Sequence, residues 1–267
     1  MLKKRVITVL CGLPLLAIAV WFDKPLPWFT IFVAIWGLLA VFEFYRLVAV
    51  SQVLSLTSFG LLWTLLFILS PHFDYDFAIP VLLTSAIVLS LVWLVLRPQK
   101  EGAFISWVWT IAGILYVGWL LSYLVALRLD AGRNWVFFAL FTTFGSDTLA
   151  FFIGRALGRH RLAPSISPNK SWEGAIGGVF GAIIVSLLFV LPTPLSLPLS
   201  YGQAVILALL VSVFGQFGDL AESLLKRNLG VKESGKMIPG HGGFLDRMDS
   251  VVFAGIVVYL YYIFVVL

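Results

Sequence analysis

The residues able to do chemistry crowd into one stretch, 219–249, of an otherwise apolar chain. It carries Asp219, Glu222, Lys226, Arg227, Lys232, Glu233, Lys236, His241, Asp246, Arg247 and Asp249, threaded with Gly235, Gly240, Gly242 and Gly243. Hard carboxylate oxygens suit Mg2+, which keeps several waters and is usually shared with substrate phosphates. Arginine supplies fork-like contacts to phosphate. Glycine permits positive φ and lets backbone N–H groups approach an anion closely. Together these types point to a phosphate ligand and its metal, with Asp219, Asp246 and Asp249 as the candidate metal carboxylates.

Each residue also has a plainer reading. Asp219 could be a helix-end carboxylate reaching water or pairing with Lys226 or Arg227. Glu222 lies three residues beyond Asp219 and four before Lys226, so the three can share a helical face, with Glu222 as the ion-pair partner of Lys226. His241 could be a metal ligand, an acid–base group, a phosphate donor or a hydrogen-bonding structural residue.

A second polar segment, 154–174, holds Ser165, Ser167, Asn169, Lys170 and Ser171 just ahead of Trp172 and Glu173. Ser171 or Asn169 could cap a helix that begins near Trp172, with Glu173 in its first turn. A helix N-terminus beside Lys170 also suits a phosphate. Asp147, in Gly145-Ser146-Asp147, is a further carboxylate inside an apolar run.

These groups must be positioned by membrane helices. The 267 residues are 61% hydrophobic and 12% charged, and the mean hydropathy is +1.03. A soluble domain carries about 25% charged residues and could not hide so much apolar surface. Nine apolar runs approach the ~20 residues that cross a bilayer: 6–22, 28–48, 54–70, 77–96, 104–127, 135–153, 175–191, 203–224 and 250–267. The expected fold is therefore all-α, a polytopic integral membrane protein of about nine transmembrane helices forming one domain over 1–267. Its site-forming loops are 154–174 and 223–249. The first run could also be read as a cleaved signal peptide, with Lys3-Lys4-Arg5 ahead of it and Ala17-Ile18-Ala19 as a cleavage site. It is kept here as a span, because its loss would invert every loop that follows. Cys11, alone in an apolar run, has no partner for a disulfide or a thiolate metal site.

Charge placement gives the orientation. With the N-terminus in the cytoplasm, 15 of the 18 Lys and Arg fall on the cytoplasmic side, and only Lys24, Arg128 and Arg133 face the other way. Both polar segments then lie at the inner face. The net charge of +5 reflects this topology and contact with anionic head groups or substrates rather than nucleic acid.

The spacing also carries a family resemblance. Ser223-x-Leu225-Lys226-Arg227, then Lys232-Glu233-x-Gly235, then Ile238-Pro239-x-His241-Gly242-Gly243-Phe244-x-Asp246-Arg247-x-Asp249 resembles the signature of phosphatidate cytidylyltransferases. Ser146-Asp147-Thr148 and Ser167-Pro168-Asn169-Lys170-Ser171-Trp172-Glu173-Gly174 resemble the same family, strongest over 147–249. Glu233 departs from it, since the family usually has Asp there. The resemblance implies a Mg2+-dependent reaction of CTP with phosphatidic acid at the cytoplasmic face of the cell membrane, giving CDP-diacylglycerol and pyrophosphate. It implies Asp219 and Asp246 as metal ligands, with Asp249 as a third or supporting carboxylate for Mg2+, alone or with a second cation. Asp219, Asp246, Lys226, Arg227, His241 and Arg247 are then the catalytic set. Lys170, Ser167, Asn169, Lys232, Lys236, Gly242, Gly243 and Asp147 become substrate-binding. A homodimer is implied as well.

Two other readings compete. A relative could use CTP on a different lipid, such as a polyprenol or an archaeal ether lipid. A transporter would also carry intramembrane carboxylates, but spread through the depth of the pore with half-helix breaks near the midplane; here the polar groups cluster at one face. No Walker phosphate loop, G-x-S-x-G elbow or H-E-x-x-H helix occurs, and a covalent serine or cysteine mechanism has no visible support.

Overall fold

A computed structural model describes residues 2–53, 55–73, 75–96, 102–235, 237–238 and 242–267. Helices dominate: α1 Leu2–Trp21, α2 Trp28–Val50, α3 Thr57–Leu69, α4 Tyr75–Val95, α5 Ala103–Gly113, α6 Leu120–Ala126, α7 Arg133–Leu157, α8 Trp172–Leu188, α9 Tyr201–Asn228 and α10 Asp249–Tyr261. α5 runs into α6 through the π-helical turn Ile114–Trp119. The one sheet among the described residues is an antiparallel hairpin, β1 Arg161–Ala163 with β2 Ser167–Ser171. Six described helices are long and apolar enough to cross a membrane, and the apolar helices Gly12–Trp21, Thr57–His72 and Trp172–Leu188 are shorter. The chain is a mainly helical, multi-pass membrane protein.

Helix ends lie within a few residues of the apolar runs, and two places show larger departures. α9 continues past 224 to Asn228, where the i,i+4 pair of buried Glu222 with Lys226 extends it beyond the apolar stretch. It stops where Gly230 takes φ +70, a left-handed conformation that suits glycine after a helix end. In the segment 154–174, the hairpin occupies residues expected to form a loop.

The contacts gather into two compact units. Unit 1 is residues 1–129 with 229–247, and unit 2 is residues 130–228 with 248–267.

Within unit 1, buried Tyr45 of α2 donates to the Thr110 carbonyl of α5 at 2.8 Å. Its ring lies where a Cβ on Gly60 or Gly113 would stand, so α3 and α5 close onto α2 through glycines. Arg128 donates from Nε to the Val20 carbonyl at 3.2 Å and pairs with Asp23 at 3.6 Å.

Unit 2 is held by close approach of backbones. A Cβ on Gly181 of α8 would run into the Gly145 carbonyl of α7, and one on Gly177 would strike Ile153. Small residues at such seams are how helices associate where lipid offers no hydrophobic drive. Polar side chains add hydrogen bonds: Ser146 and Ser212 lie 2.8 Å apart, and Gln216 Nε2 donates to Ser212 Oγ at 3.0 Å and to the Ala175 carbonyl at 3.1 Å. Gly181→Ala should therefore destabilise the protein by about 1–3 kcal/mol through overpacking. Gly202→Ala, whose Cβ would meet nothing within 4 Å, should fall within about 0.5 kcal/mol of wild type. Unfolding of both variants in detergent checks the pair; equal stability would refute the seam.

Candidate active site

In unit 2 the charged groups lie at the C-terminal end of α9, at the hairpin and at the start of α10. Lys170, near the end of β2, reaches across to Asp219 of α9 and pairs with its Oδ2 at 2.7 Å. Ser223, one turn on, donates to Asp219 Oδ1 at 3.4 Å. Glu222 is fully buried, and Lys226 Nζ stands 3.2 Å from its Oε1, the partnership its spacing predicts. Asp249 opens α10 and takes the Ser250 N–H on Oδ1 at 2.8 Å. Its carboxyl group meets Glu222 and lies in the electrostatic field of Asp219 and Lys226. The helix seam makes this possible, since a Cβ on Gly218 of α9 would run into the Asp249 carbonyl.

The hairpin is fastened on two sides. Ser171 caps α8, its Oγ accepting from Gly174 N at 3.2 Å, as its position before Trp172 predicts. Arg227 Nε donates to the Ile166 carbonyl at 3.2 Å, so this cation supports the hairpin turn from exposed solvent. Glu173 accepts from the backbone of Arg159 at 3.1 Å and of His160 at 3.2 Å, and His160 Nδ1–H donates to it at 2.7 Å. Ser167 begins β2, half-buried, and Asn169 and Asp147 are exposed.

The glycine loop belongs to unit 1 and is organised by carboxylates of the chain itself. Asp246 sits in the 3-10 turn Leu245–Arg247. Its Oδ2 accepts from Ser234 N at 3.0 Å and from Gly243 N at 2.9 Å. Ile238 and Gly242 bridge, with Ile238 N donating to the Gly242 carbonyl at 2.9 Å, and Gly242 adopts φ +82. The Gly243 N–H does approach an anion, and in this structure that anion is Asp246. Lys232, Glu233 and Arg247 are exposed. Lys236 and His241, both expected in the site, lie outside the described residues, as do Pro239 and Gly240.

Sequence reasoning passed over Glu43. It sits on α2, 2% exposed, and its Oε2 accepts from Leu245 N at 3.1 Å and from Ser234 Oγ at 3.3 Å. A lone glutamate inside the apolar run 28–48 was the available signal, of the same kind that drew attention to Asp147.

For a metal, the donor chemistry of unit 2 fits a hard cation: Asp219 and Asp249 bring two carboxylates into mutual range. Mg2+ is usually held by one or two carboxylates, with water and substrate phosphates completing the shell. Among the described residues no three His, Cys, Asp or Glu side chains form a metal-sized group.

This is a multi-pass helical membrane protein with its charged groups concentrated at helix ends and in a carboxylate-braced loop. A model of the cytidylyltransferase family matches residues 3–265, and the chain belongs to that family. The phosphatidate cytidylyltransferase of Bacillus subtilis (strain 168) is 35% identical over 273 residues, 98% of this chain and 97% of that protein. The phosphatidate cytidylyltransferase of Brucella abortus biovar 1 (strain 9-941) is 37% identical over 235 residues, 87% of this chain and 83% of its own length. The uncharacterized protein YnbB of Escherichia coli (strain K12) is 38% identical over 163 residues, 61% of this chain and 53% of its own.

The hairpin brace gives a test in solution. Glu173 precedes the apolar run that begins at Ala175, and its pKa is lowered from 4.5 to about 2, first by its own backbone N–H and then by the His160 ring. A carboxyl group depressed on folding contributes stability that is complete above its ordinary pKa and is lost as pH falls through the folded value. The Arg159 and His160 amides should therefore stay protected from hydrogen exchange, after correction for intrinsic rates, down to about pH 3. Glu173→Ala, which leaves those amides no acceptor, should lose that protection at every pH. Protection that disappears near pH 4.5 in wild type would refute the brace.

Proposed function

We infer that this chain transfers CMP from CTP to phosphatidic acid, giving CDP-diacylglycerol and pyrophosphate, a step of phospholipid biosynthesis. The observation that carries the reading is the family match across residues 3–265, joined by relatives of that activity aligned over most of both chains. In the reaction a phosphate oxygen of the lipid attacks the α-phosphorus of CTP, and the bond to the bridging oxygen of the pyrophosphate breaks. The nucleophile is the substrate's own, so the protein contributes positioning and charge neutralisation rather than a covalent group.

The residue roles proposed are those the family resemblance implies. Lys226, Arg227, Lys232, Lys236 and Arg247 are assigned to the triphosphate and the departing pyrophosphate. Lys170, with Ser167 and Asn169, is assigned to the lipid phosphate or the nucleotide, and Asp147, Gly242 and Gly243 to substrate contacts. His241 is assigned as an acid–base group or phosphate donor. The Lys170–Asp219 pair supports the role given to Lys170: an ammonium already holding a carboxylate oxygen at 2.7 Å can hold a phosphate oxygen by the same kind of bond. Asp219, Asp246 and Asp249 are proposed to hold Mg2+, and the proximity of Asp219 and Asp249 supports that assignment. Bound there, Mg2+ would neutralise charge on the transferred phosphoryl group and on the leaving pyrophosphate.

We also propose nine crossings of the cell membrane, counting the three shorter apolar helices, with the N-terminus and the site in the cytoplasm. There a soluble nucleotide and a bilayer lipid can both arrive. A homodimer is part of the same proposal.

Purified protein should release pyrophosphate only when CTP, phosphatidic acid and Mg2+ are all present. Asp246→Asn keeps an oxygen for the Ser234 and Gly243 N–H groups but loses the charge, and should lower kcat by about a hundredfold or more. Release with a polyprenol phosphate but not with phosphatidic acid would move the substrate assignment. Wild-type activity in Asp246→Asn would remove that carboxylate from the site.

A further inference from the structure

Glu43 occupies the place on α2 where an ionisable side chain costs most, inside an apolar span and 2% exposed. Donors from a segment about two hundred residues later in the chain reach one of its two oxygens. Oε2 takes the Leu245 N–H at 3.1 Å and the Ser234 hydroxyl at 3.3 Å. Ser234 is thereby held twice, through its hydroxyl by Glu43 and through its N–H by Asp246 at 3.0 Å.

Two of the glycines match this arrangement. A Cβ on Gly243 would run into the Glu43 carboxylate and the Ser234 hydroxyl, and one on Gly235 would stand 2.5 Å from Glu43 Oε1. Trp36, seven residues before Glu43 and so on the same face of α2, adds a second hold. Its Nε1 donates to the Phe244 carbonyl at 3.1 Å, and its ring meets the Phe244 ring edge-on with centroids 4.8 Å apart. The loop that bears Asp246 and Arg247 is thus anchored on a membrane helix.

We propose that Glu43 is a positioning residue for CMP transfer: from α2 it fixes the backbone at Ser234 and at 244–245, and so sets the conformation in which Asp246 and Arg247 act. The proposal rests on the functional reading above. It differs from a packing role in what it predicts, because a brace on the loop governs the chemical step rather than the stability of the helices.

The test uses full-length protein in detergent, with Glu43→Gln and Ser234→Ala. Gln keeps the length and one acceptor but replaces the other carboxyl oxygen with an NH2 group, which cannot accept from Leu245 or Ser234. Hydrogen exchange across 234–247 should quicken by about tenfold in Glu43→Gln, while the rest of α2 exchanges as in wild type. Turnover should fall by about tenfold or more, with the KM for phosphatidic acid within about twofold and the melting temperature little changed. Ser234→Ala should cost less, and the double variant should be no worse than Glu43→Gln alone, as expected for residues acting through one contact. Unchanged exchange across 234–247 in folded Glu43→Gln would overturn the proposal. So would faster exchange with undiminished kcat, or a loss of activity matched by a lowered melting temperature. Wild-type protein silent with CTP and every lipid would overturn the functional reading instead, and the exchange measurement would still report whether Glu43 holds the loop.

Discussion

An ionised group in an apolar protein must bring its counter-charge or its hydrogen-bond donors with it, because neither lipid nor a packed helix interface supplies them. That constraint shapes this protein more than any other. Asp219 takes the ammonium of Lys170, Glu222 takes that of Lys226, and Asp246 takes two backbone N–H groups. Glu43 takes a third N–H and a hydroxyl. Helix ends, a hairpin and a glycine loop are where such partners can be found. Most charged groups therefore collect at those places, with Glu43 of α2 and Asp147 of α7 the exceptions inside apolar helices.

Close backbone approach is the second half of the same design. Gly145, Gly177 and Gly181 let α7 and α8 meet, and Gly218 lets the start of α10 lie against α9. That last contact brings Asp249 within the field of Asp219 and Lys226. In unit 1, Gly235 and Gly243 do the corresponding work around the Glu43 carboxylate. Glycines in such a loop read naturally as phosphate-facing. Here at least one of their N–H groups, that of Gly243, is directed at a carboxylate of the protein itself.

Helical membrane character was legible from hydropathy, because runs near twenty apolar residues have few other fates. Local pairings were legible too. The Ser171 cap and the Glu222–Lys226 pair follow from spacings of three and four residues. What escaped notice was set by long-range contacts. Nothing in the neighbourhood of Glu43 points to Ser234 and Leu245, and nothing near Lys170 names Asp219 as its partner. The hairpin escaped for a different reason: β1 is three residues long and Pro164 follows it, so no alternating pattern could develop. The carry of α9 to Asn228 depends on an ion pair that continues the helix beyond its apolar run.

The central claim is that the α-phosphoryl group of CTP, with its cytidine, moves onto the lipid phosphate. Following two labels through one reaction tests it most directly. With CTP labelled at the α-phosphate, the account predicts that the label enters the lipid phase in step with pyrophosphate release. With CTP labelled at the γ-phosphate, it predicts that the label stays in the aqueous pyrophosphate. Label from the γ-position appearing in the lipid would mean phosphorylation instead of CMP transfer, and would contradict the account.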